Sequence, residues 1–482
     1  MSGGENMKKT KIVCTIGPAT EKVETLKELI LEGMNVARIN FSHGGIEEQR
    51  KYIDAVKKAR EEVNMPVALL LDTQGPEIRT GKLEQAPVML NADEIFTLVN
   101  EDIIGDKTKT SVSYKELYKD VKEGAVILID DGKIELEVTK IEGKDVICKV
   151  TNGGELGNRK SINLPGTHVN LPSLKEKDIQ DLKDGCNEDF DYVAASFIRN
   201  KNDILAIRKV LDDNGGKDIK IISKIENQEG IDNFKEILDV SDGVMIARGD
   251  LGVEIPFEEV PIMQKKFIQE CNNAGKFVIT ATQMLESMTV NPRPTRAEIS
   301  DVANAIFDVT GAIMLSGESA MGKHPVECVK IMSKIANAVE DSIKYWKRYK
   351  RRELDLTNLD YEFSLCRSVT STAMEMSAKA IFAYTNTGDT PRMVSSFLPR
   401  CPIYAITSNE KTYRQLALAW NTIPILVKEK DNANDVISEG IEEAKRRGYV
   451  QKGDIVVLAG GASVLAHHDN VMNRTIGGVL KI

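Results

Sequence analysis

The chain has 482 residues and a formal net charge of −9, with 28% charged and 41% hydrophobic residues. That balance suits a soluble globular protein of roughly two to four domains. It excludes a broad basic field for nucleic acid, and no apolar run is long enough to span a bilayer.

The opening MSGGENMKKTKIV has no secretory pattern. The seven cysteines are scattered without a CxxC pair, so they read as reduced thiols and a cytoplasmic location is expected. Five histidines in so long a chain argue against a His-based mechanism.

Lys11–Thr15 reads as a strand, closed by Gly17 and Pro18. A helical pattern follows at Val23, Leu26, Ile30 and Leu31 and stops at Gly33. In the next strand Arg38, Asn40 and Ser42 alternate with Ala37, Ile39 and Phe41, which places three polar side chains on one face. A helix through Arg60 and a third strand, Val67 to Leu71, lead to Asp72-Thr73-Gln74-Gly75-Pro76.

From Glu77 to about Val169 the texture changes to short alternating runs with frequent Gly and Asn. This segment reads as a small β-barrel inserted after strand three. The βα pattern resumes at Glu176, with strands at Tyr192–Phe197, Ile219–Ser223, Gly243–Ala247, Phe277–Thr280 and Ala312–Leu315. About eight alternating units predict a (β/α)8 barrel. Polar residues gather at the carboxyl ends of its strands, where such barrels bind ligands.

The stretch from Ile221 to Pro256 concentrates this chemistry. Lys224 and Glu226 are two apart on one strand and face the same way. Asp250, from the tip of the next strand, can reach the same space. Carboxylates of this kind suit Mg²⁺.

A helix from Pro325 to about Lys347 runs into a charged connector, Lys347 to Asp355. From about Leu356 a compact α/β sheet domain is predicted. It has a helix at Leu365–Ala380 and strands at Ile381–Thr385, Ile403–Thr407, Ile423–Val427 and Asp454–Leu458. The expected divisions are residues 1–74 and 171–345 for the barrel, 75–170 for the inserted lid and 346–482 for the C-terminal domain.

Six motifs stand in series: VARINFSHG, LDTQGPEIRTG, SKIEN, ARGDLGVEIP, TATQMLESM and MLSGES. They resemble the pyruvate kinase family, in its compact bacterial form, over nearly the whole chain. The resemblance implies phosphoryl transfer from phosphoenolpyruvate to ADP, giving pyruvate and ATP. Glu226 and Asp250 match the family's Mg²⁺ (or Mn²⁺) ligands. Lys224 matches the lysine on the transferring phosphoryl group, and Arg38 a phosphate contact. Gly249 and Asp250 match the backbone that meets the substrate carboxylate. Thr282 matches the threonine of the proton relay, with Ser316 and Glu318 as alternative donors.

Asn40, Ser42, Asp72 and Thr73 match the K⁺ site, and Glu77 matches the form that goes with K⁺ dependence. Asn40, His43, Arg79 and Lys160 match nucleotide contacts under the lid. A homotetramer is the family's usual assembly. In the C-terminal domain Thr385, Asn386, Thr387, Gly388 and Thr390 resemble a phosphate loop for a sugar-phosphate or nucleotide effector. There the chain departs from the pattern: Asp389 adds a repelling carboxylate. The stretch from Gly460 to Arg474 also lacks the Trp- and Gly-rich character of members that respond strongly to fructose 1,6-bisphosphate. Arg392, Arg400, His467 and His468 are candidate cations. Asp308-Val309-Thr310-Gly311-Ala312 also departs, with altered helix–strand packing expected and no catalytic consequence.

Two other readings stay open at this point. One is a Mg²⁺-dependent enolate lyase or aldolase, with a Schiff base at Lys224 as a variant. The other is an inert assembly protein.

Overall fold

The structure, a computed structural model, describes residues 8–351, 361–430, 433–460 and 476–482. Eight parallel strands close into a barrel. They are Lys11–Thr15, Val36–Asn40, Ala68–Asp72, Tyr192–Ala195, Lys220–Ile225, Gly243–Ala247, Phe277–Ala281 and Ala312–Leu315. Helices follow on the outside, as the alternation predicts.

The interior is filled by every second residue: Val13, Val36, Leu70, Ala194, Ile222 and Met245 are all buried together. The intervening residues, such as Ile12, Ala37, Leu69 and Ile221, belong to the layer shared with the helices. Continuing the inner set by two residues brings Thr15, Arg38, Asp72 and Lys224 to the carboxyl ends. The register pairs Asn40 with Asp72 across neighbouring strands, so their side chains start side by side.

Between Ala68–Asp72 and the helix Glu176–Asn187 lies a seven-stranded sheet. Its only helix among the described residues is the short Leu117–Asp120. The two edge strands, Ile78–Arg79 and Lys109–Ser111, meet through a bridge between Thr80 and Val112. The Gly81 N–H donates to the Ser111 carbonyl at 2.8 Å, so the sheet curls shut around Phe96, Leu98, Ile127 and Leu136.

The C-terminal sheet has five strands, in the order Thr422–Leu426, Ile403–Thr407, Ala380–Tyr384, Ile455–Gly460 and Ile476–Lys481. The first four are parallel and match those expected. The last runs antiparallel to Ile455–Gly460 and was missed, because Gly477 and Gly478 interrupt its alternation.

The helix from Pro325 ends earlier than expected, at Ser342, where Ile343 turns extended. A second helix, Tyr345–Arg351, takes up half of the charged connector. It is anchored by buried Tyr345 against Trp420, with ring centroids 5.8 Å apart. Val309 takes a left-handed backbone, φ 61°, and its carbonyl accepts from Asn272 Nδ2 at 3.1 Å.

The C-terminal domain docks under the amino end of the barrel. Arg414 spans Asp191 (2.9 Å) and Asp189 (2.6 Å), and Lys11 Nζ donates to the Thr422 carbonyl at 2.7 Å. The Tyr192 hydroxyl donates to the Gln415 carbonyl. Among the described residues no helix is long and apolar enough to cross a membrane, and all seven cysteines are free thiols.

Candidate active site at the barrel mouth

Four strands bring one ionic network together. Arg38 Nε is 2.6 Å from Asp72 Oδ2, and its Nη1 donates to Thr15 Oγ1 at 2.8 Å. Lys224 Nζ is 3.2 Å from Asp72 Oδ1 and 3.0 Å from Glu226 Oε1, and donates to Ser196 Oγ at 2.8 Å. Ser196 passes its own proton toward the Thr73 carbonyl at 2.7 Å. Glu226 is held from the other side by the Phe197 N–H at 2.6 Å. Phe197 has φ 54°, an uncommon left-handed backbone that turns this N–H toward the carboxylate.

Burial sets the charges. Burial opposes ionisation of Asp72, but Arg38 and Lys224 hold it below the ordinary carboxylate range. Burial alone would lower Lys224, yet Asp72 and Glu226 outweigh it and keep the ammonium protonated above its usual range. Glu226 is pushed up to about 7 by burial, against the pull of Lys224, with the Asp250 charge adding to the rise. Asp250 is likewise raised by burial against the pull of Lys224, with Asp131 and Asp72 adding to the rise. Two buried carboxylates, both raised and served by one lysine, are a site with too little positive charge.

That deficit fits a divalent cation. Among the described residues no group of three or more His, Cys, Asp or Glu side chains forms a closed metal site. Two carboxylates with the remaining positions open suit Mg²⁺, which keeps waters and substrate oxygens in its shell.

Thr282 and Gln283 also adopt left-handed backbones, φ 69° and 52°. The Thr282 hydroxyl accepts from the Gly249 N–H at 2.7 Å and donates to the Ala281 carbonyl at 2.6 Å. Arg248 clamps the same turn through the Thr282 carbonyl (2.7 Å) and pairs with Asp301 (2.8 Å). The turn thus binds the start of the short helix Arg248–Glu254, which carries Asp250, to the neighbouring strand.

Glu318 is anchored through both carboxylate oxygens. Its two oxygens accept from the Leu285 N–H (3.0 Å) and the Ser316 N–H (2.7 Å). It is buried and ties two loops together. Ser316 stands half-buried just before it.

Asn40 Oδ1 accepts from the Ser42 N–H at 3.0 Å, which folds Ser42 back beside the Asn40–Asp72 pair. Thr73 is buried behind them. The described positions therefore gather Asn40, Ser42, Asp72 and Thr73 at adjoining strand ends. The His43 side chain lies outside the described residues.

A cleft of about 480 Å³ opens between this mouth and the inserted domain, lined by Arg79, Lys160, Asp131, Asp250 and Glu254 among others. Arg79 pairs with Glu77 at 2.8 Å, and Lys160 with Asp130 at 2.9 Å. Three contacts close the inserted domain on the barrel: Asn163 to Glu254 (2.8 Å), His168 to Glu229 (2.9 Å) and Arg199 to the Val169 carbonyl (2.9 Å). The sequence reading missed Glu254, although it stands four residues after Asp250 on one helix face. Nothing local marked Asn163 or His168.

The effector-like loop is internally satisfied. Thr385 Oγ1 accepts from the Gly388 N–H (2.8 Å), Thr387 Oγ1 donates to Asp389 (2.7 Å), and Asp389 pairs with Arg392 (2.7 Å). The Tyr384 hydroxyl is 3.1 Å from Asn386 Oδ1, and Thr390 is buried. Arg400 is exposed. His467 and His468 lie outside the described residues.

Comparison with known proteins bears on the whole chain. Residues 7–329 match the family model for the pyruvate kinase barrel domain, and residues 364–473 match that for the pyruvate kinase alpha/beta domain. A pyruvate kinase of Clostridium acetobutylicum is 51% identical over 457 residues, which covers 94% of this chain and 96% of that protein. One from Clostridium perfringens is 48% identical over the same shares. One from Bacillus licheniformis is 45% identical over 98% of this chain and 81% of its own length. The chain belongs to the pyruvate kinase family.

Proposed function

We propose that the barrel mouth transfers the phosphoryl group of phosphoenolpyruvate to ADP, giving pyruvate and ATP. The observation that carries this reading is Lys224, charged and held between Asp72, Glu226 and Ser196 at the end of its strand. Phosphoryl transfer needs positioning and charge neutralisation more than covalent catalysis. A lysine is a point charge that can follow the moving phosphoryl oxygens.

In this reading Arg38 contacts the phosphate, and backbone at Gly249 and Asp250 meets the substrate carboxylate. Arg79 and Lys160 neutralise the nucleotide phosphates across the cleft, with Asn40 and His43 beside them. Glu226 and Asp250 hold Mg²⁺ (or Mn²⁺), while Asn40, Ser42, Asp72 and the Thr73 carbonyl hold K⁺. When bound, these ions supply positive charge to the phosphoryl oxygens. Thr282, bonded to the Gly249 N–H, positions the proton relay to the enolate carbon, with Ser316 and Glu318 as alternative donors. The inserted domain closes over the nucleotide and excludes water. A homotetramer and a phosphate-bearing effector at Thr385–Thr390 belong to the same proposal.

The enolate-lyase reading loses ground here. A Schiff base needs a neutral lysine, and the two carboxylates around Lys224 keep it protonated. The deciding experiment is a lactate-dehydrogenase-coupled assay with phosphoenolpyruvate, ADP and Mg²⁺. Pyruvate formation that requires ADP is expected. Pyruvate formed without ADP, or none at all, would overturn the proposal.

A further inference from the structure

The Lys224 ammonium has three N–H donors and three protein acceptors: Asp72 Oδ1 at 3.2 Å, Glu226 Oε1 at 3.0 Å and Ser196 Oγ at 2.8 Å. The order is the reverse of what charge alone gives. A bond from an ammonium to a carboxylate is ordinarily short, about 2.7–2.9 Å. Here the neutral hydroxyl is nearest and both carboxylates stand off. Arg38 holds the other Asp72 oxygen at 2.6 Å, and the Phe197 N–H holds the other Glu226 oxygen at 2.6 Å. Neither carboxylate is free to come up to the lysine.

Ser196 itself is fixed from two sides. It follows the strand Tyr192–Ala195 and is buried. Its N–H donates to Thr73 Oγ1 at 3.2 Å. Its hydroxyl has one proton, and the Thr73 carbonyl at 2.7 Å is nearer than Asp72 Oδ1 at 3.2 Å. With the proton committed there, a lone pair is left for Lys224. The loop after Thr73 presses on the serine. Gly75 has φ 72°, and a Cβ at that position would lie 2.9 Å from Ser196 Cβ and 3.0 Å from its carbonyl oxygen. Glycine alone permits that approach. On the other side Phe197 is tied to Glu226, so the serine cannot follow a moving lysine.

The strand register gives the direction of the pull. Asp72 pairs with Ala194, and Ser223 pairs with Ala195. Ser196 therefore stands level with Lys224 and two residues nearer the mouth than the level of Asp72. A hydroxyl at that height draws the ammonium outward. Without it, the ammonium would close onto Asp72.

We propose that Ser196 is a positioning residue that holds the Lys224 ammonium off Asp72 and presents it at the barrel mouth. This rests on the reading of Lys224 as the cation that meets the transferring phosphoryl group. A charge already in place costs no rearrangement when the phosphoryl moves, which is how such a donor lowers the barrier.

The test is a double-mutant cycle on the full chain, read as kcat and KM for phosphoenolpyruvate in the coupled assay. Mn²⁺ binding, followed by electron paramagnetic resonance of the free ion, is the second readout. Ser196→Ala should lower kcat by about tenfold, the cost of one bond to a charged group. KM should change by less than about threefold. In a Lys224→Met background the same substitution should cost nothing further, because the serine acts only through the ammonium. Mn²⁺ affinity should stay within about threefold, since Glu226 and Asp250 are untouched. Three outcomes overturn the proposal while leaving the reading of Lys224 intact. One is an unchanged kcat in Ser196→Ala beside an impaired Lys224→Met. The second is an equal fold loss in both backgrounds, which a merely structural role gives. The third is Mn²⁺ affinity lost together with kcat, which would place the effect on the metal ligands. A near-normal kcat in Lys224→Met would overturn that reading and this proposal together.

Discussion

Lys224 and Glu226 stand two residues apart on one strand with Nζ and Oε1 3.0 Å apart, although both are buried. Removing Lys224 would leave the buried Glu226 carboxylate without its cation. Asp72 completes the arrangement at 3.2 Å from the same ammonium. Lys224→Met should therefore lower kcat by about 10²–10³-fold, the usual cost of one electrostatic donor to a developing charge. Lys224→Arg should restore little, because a planar fork cannot track the phosphoryl as a point charge does. The coupled assay, run on protein with an unchanged circular dichroism spectrum, decides this. A methionine variant with near-normal kcat would move the catalytic charge elsewhere.

The K⁺ proposal rests on Asn40 and Asp72 meeting in register across two strands, with the Glu77 carboxylate on Arg79 at 2.8 Å. A monovalent cation among these oxygens should raise the rate. Replacing K⁺ by a bulky organic cation should cut the rate about tenfold or more, since one charge near a transferring phosphoryl is worth a few kcal/mol. Glu77→Lys places a tethered ammonium at the cleft and should make the rate nearly independent of K⁺. Equal rates for the wild type with and without K⁺ would remove the site.

Lid closure is also open to test. Asn163 and Arg199 tie the inserted domain to the barrel at 2.8 and 2.9 Å without touching the Lys224 network. Asn163→Ala and Arg199→Ala should loosen closure and raise KM for ADP several-fold, while kcat at saturation changes by less than about threefold. A large loss of kcat with KM unchanged would mean that these residues act in the chemistry and not in closure.

Much of this site is legible in the sequence because a barrel strand has a period of two. Val36-Arg38-Asn40 and Ile222-Lys224-Glu226 each read as core followed by chemistry, and the structure places both sets inward. What escapes is what depends on contacts between distant segments. That Glu318 ties the Leu285 amide to the Ser316 amide has no local signal. Asn163 has no local signal, and its meaning comes only from Glu254, which is 91 residues away in the chain. The connector after Ser342 looks like solvated charge, but Tyr345 packs on Trp420 and makes half of it a helix with a cavity beside it.

The joint beneath the barrel gives a pH prediction with a definite sign. Asp191 is fully buried, and burial pushes its carboxyl up to about 6 against the pull of Arg414. Leu69 N–H and Arg414 each occupy one of its oxygens at 2.9 Å. The folded chain thus holds this proton more tightly than the unfolded chain, whose aspartates titrate near 3.9. Between about pH 4 and 6 the folded state binds more protons, so this group's contribution to stability falls as pH rises through that window. At 1.36 kcal/mol per unit the fall is of order 3 kcal/mol. Asp191→Asn keeps an acceptor for Leu69 and removes the titration, and Arg414 retains Asp189 at 2.6 Å. The difference in Tm between variant and wild type should therefore shift in favour of the variant as pH rises from about 4 to 6, then level off above it. A difference that is flat across this range would show that Asp191 is already ionised throughout, with Arg414 and the Leu69 amide fully offsetting its burial.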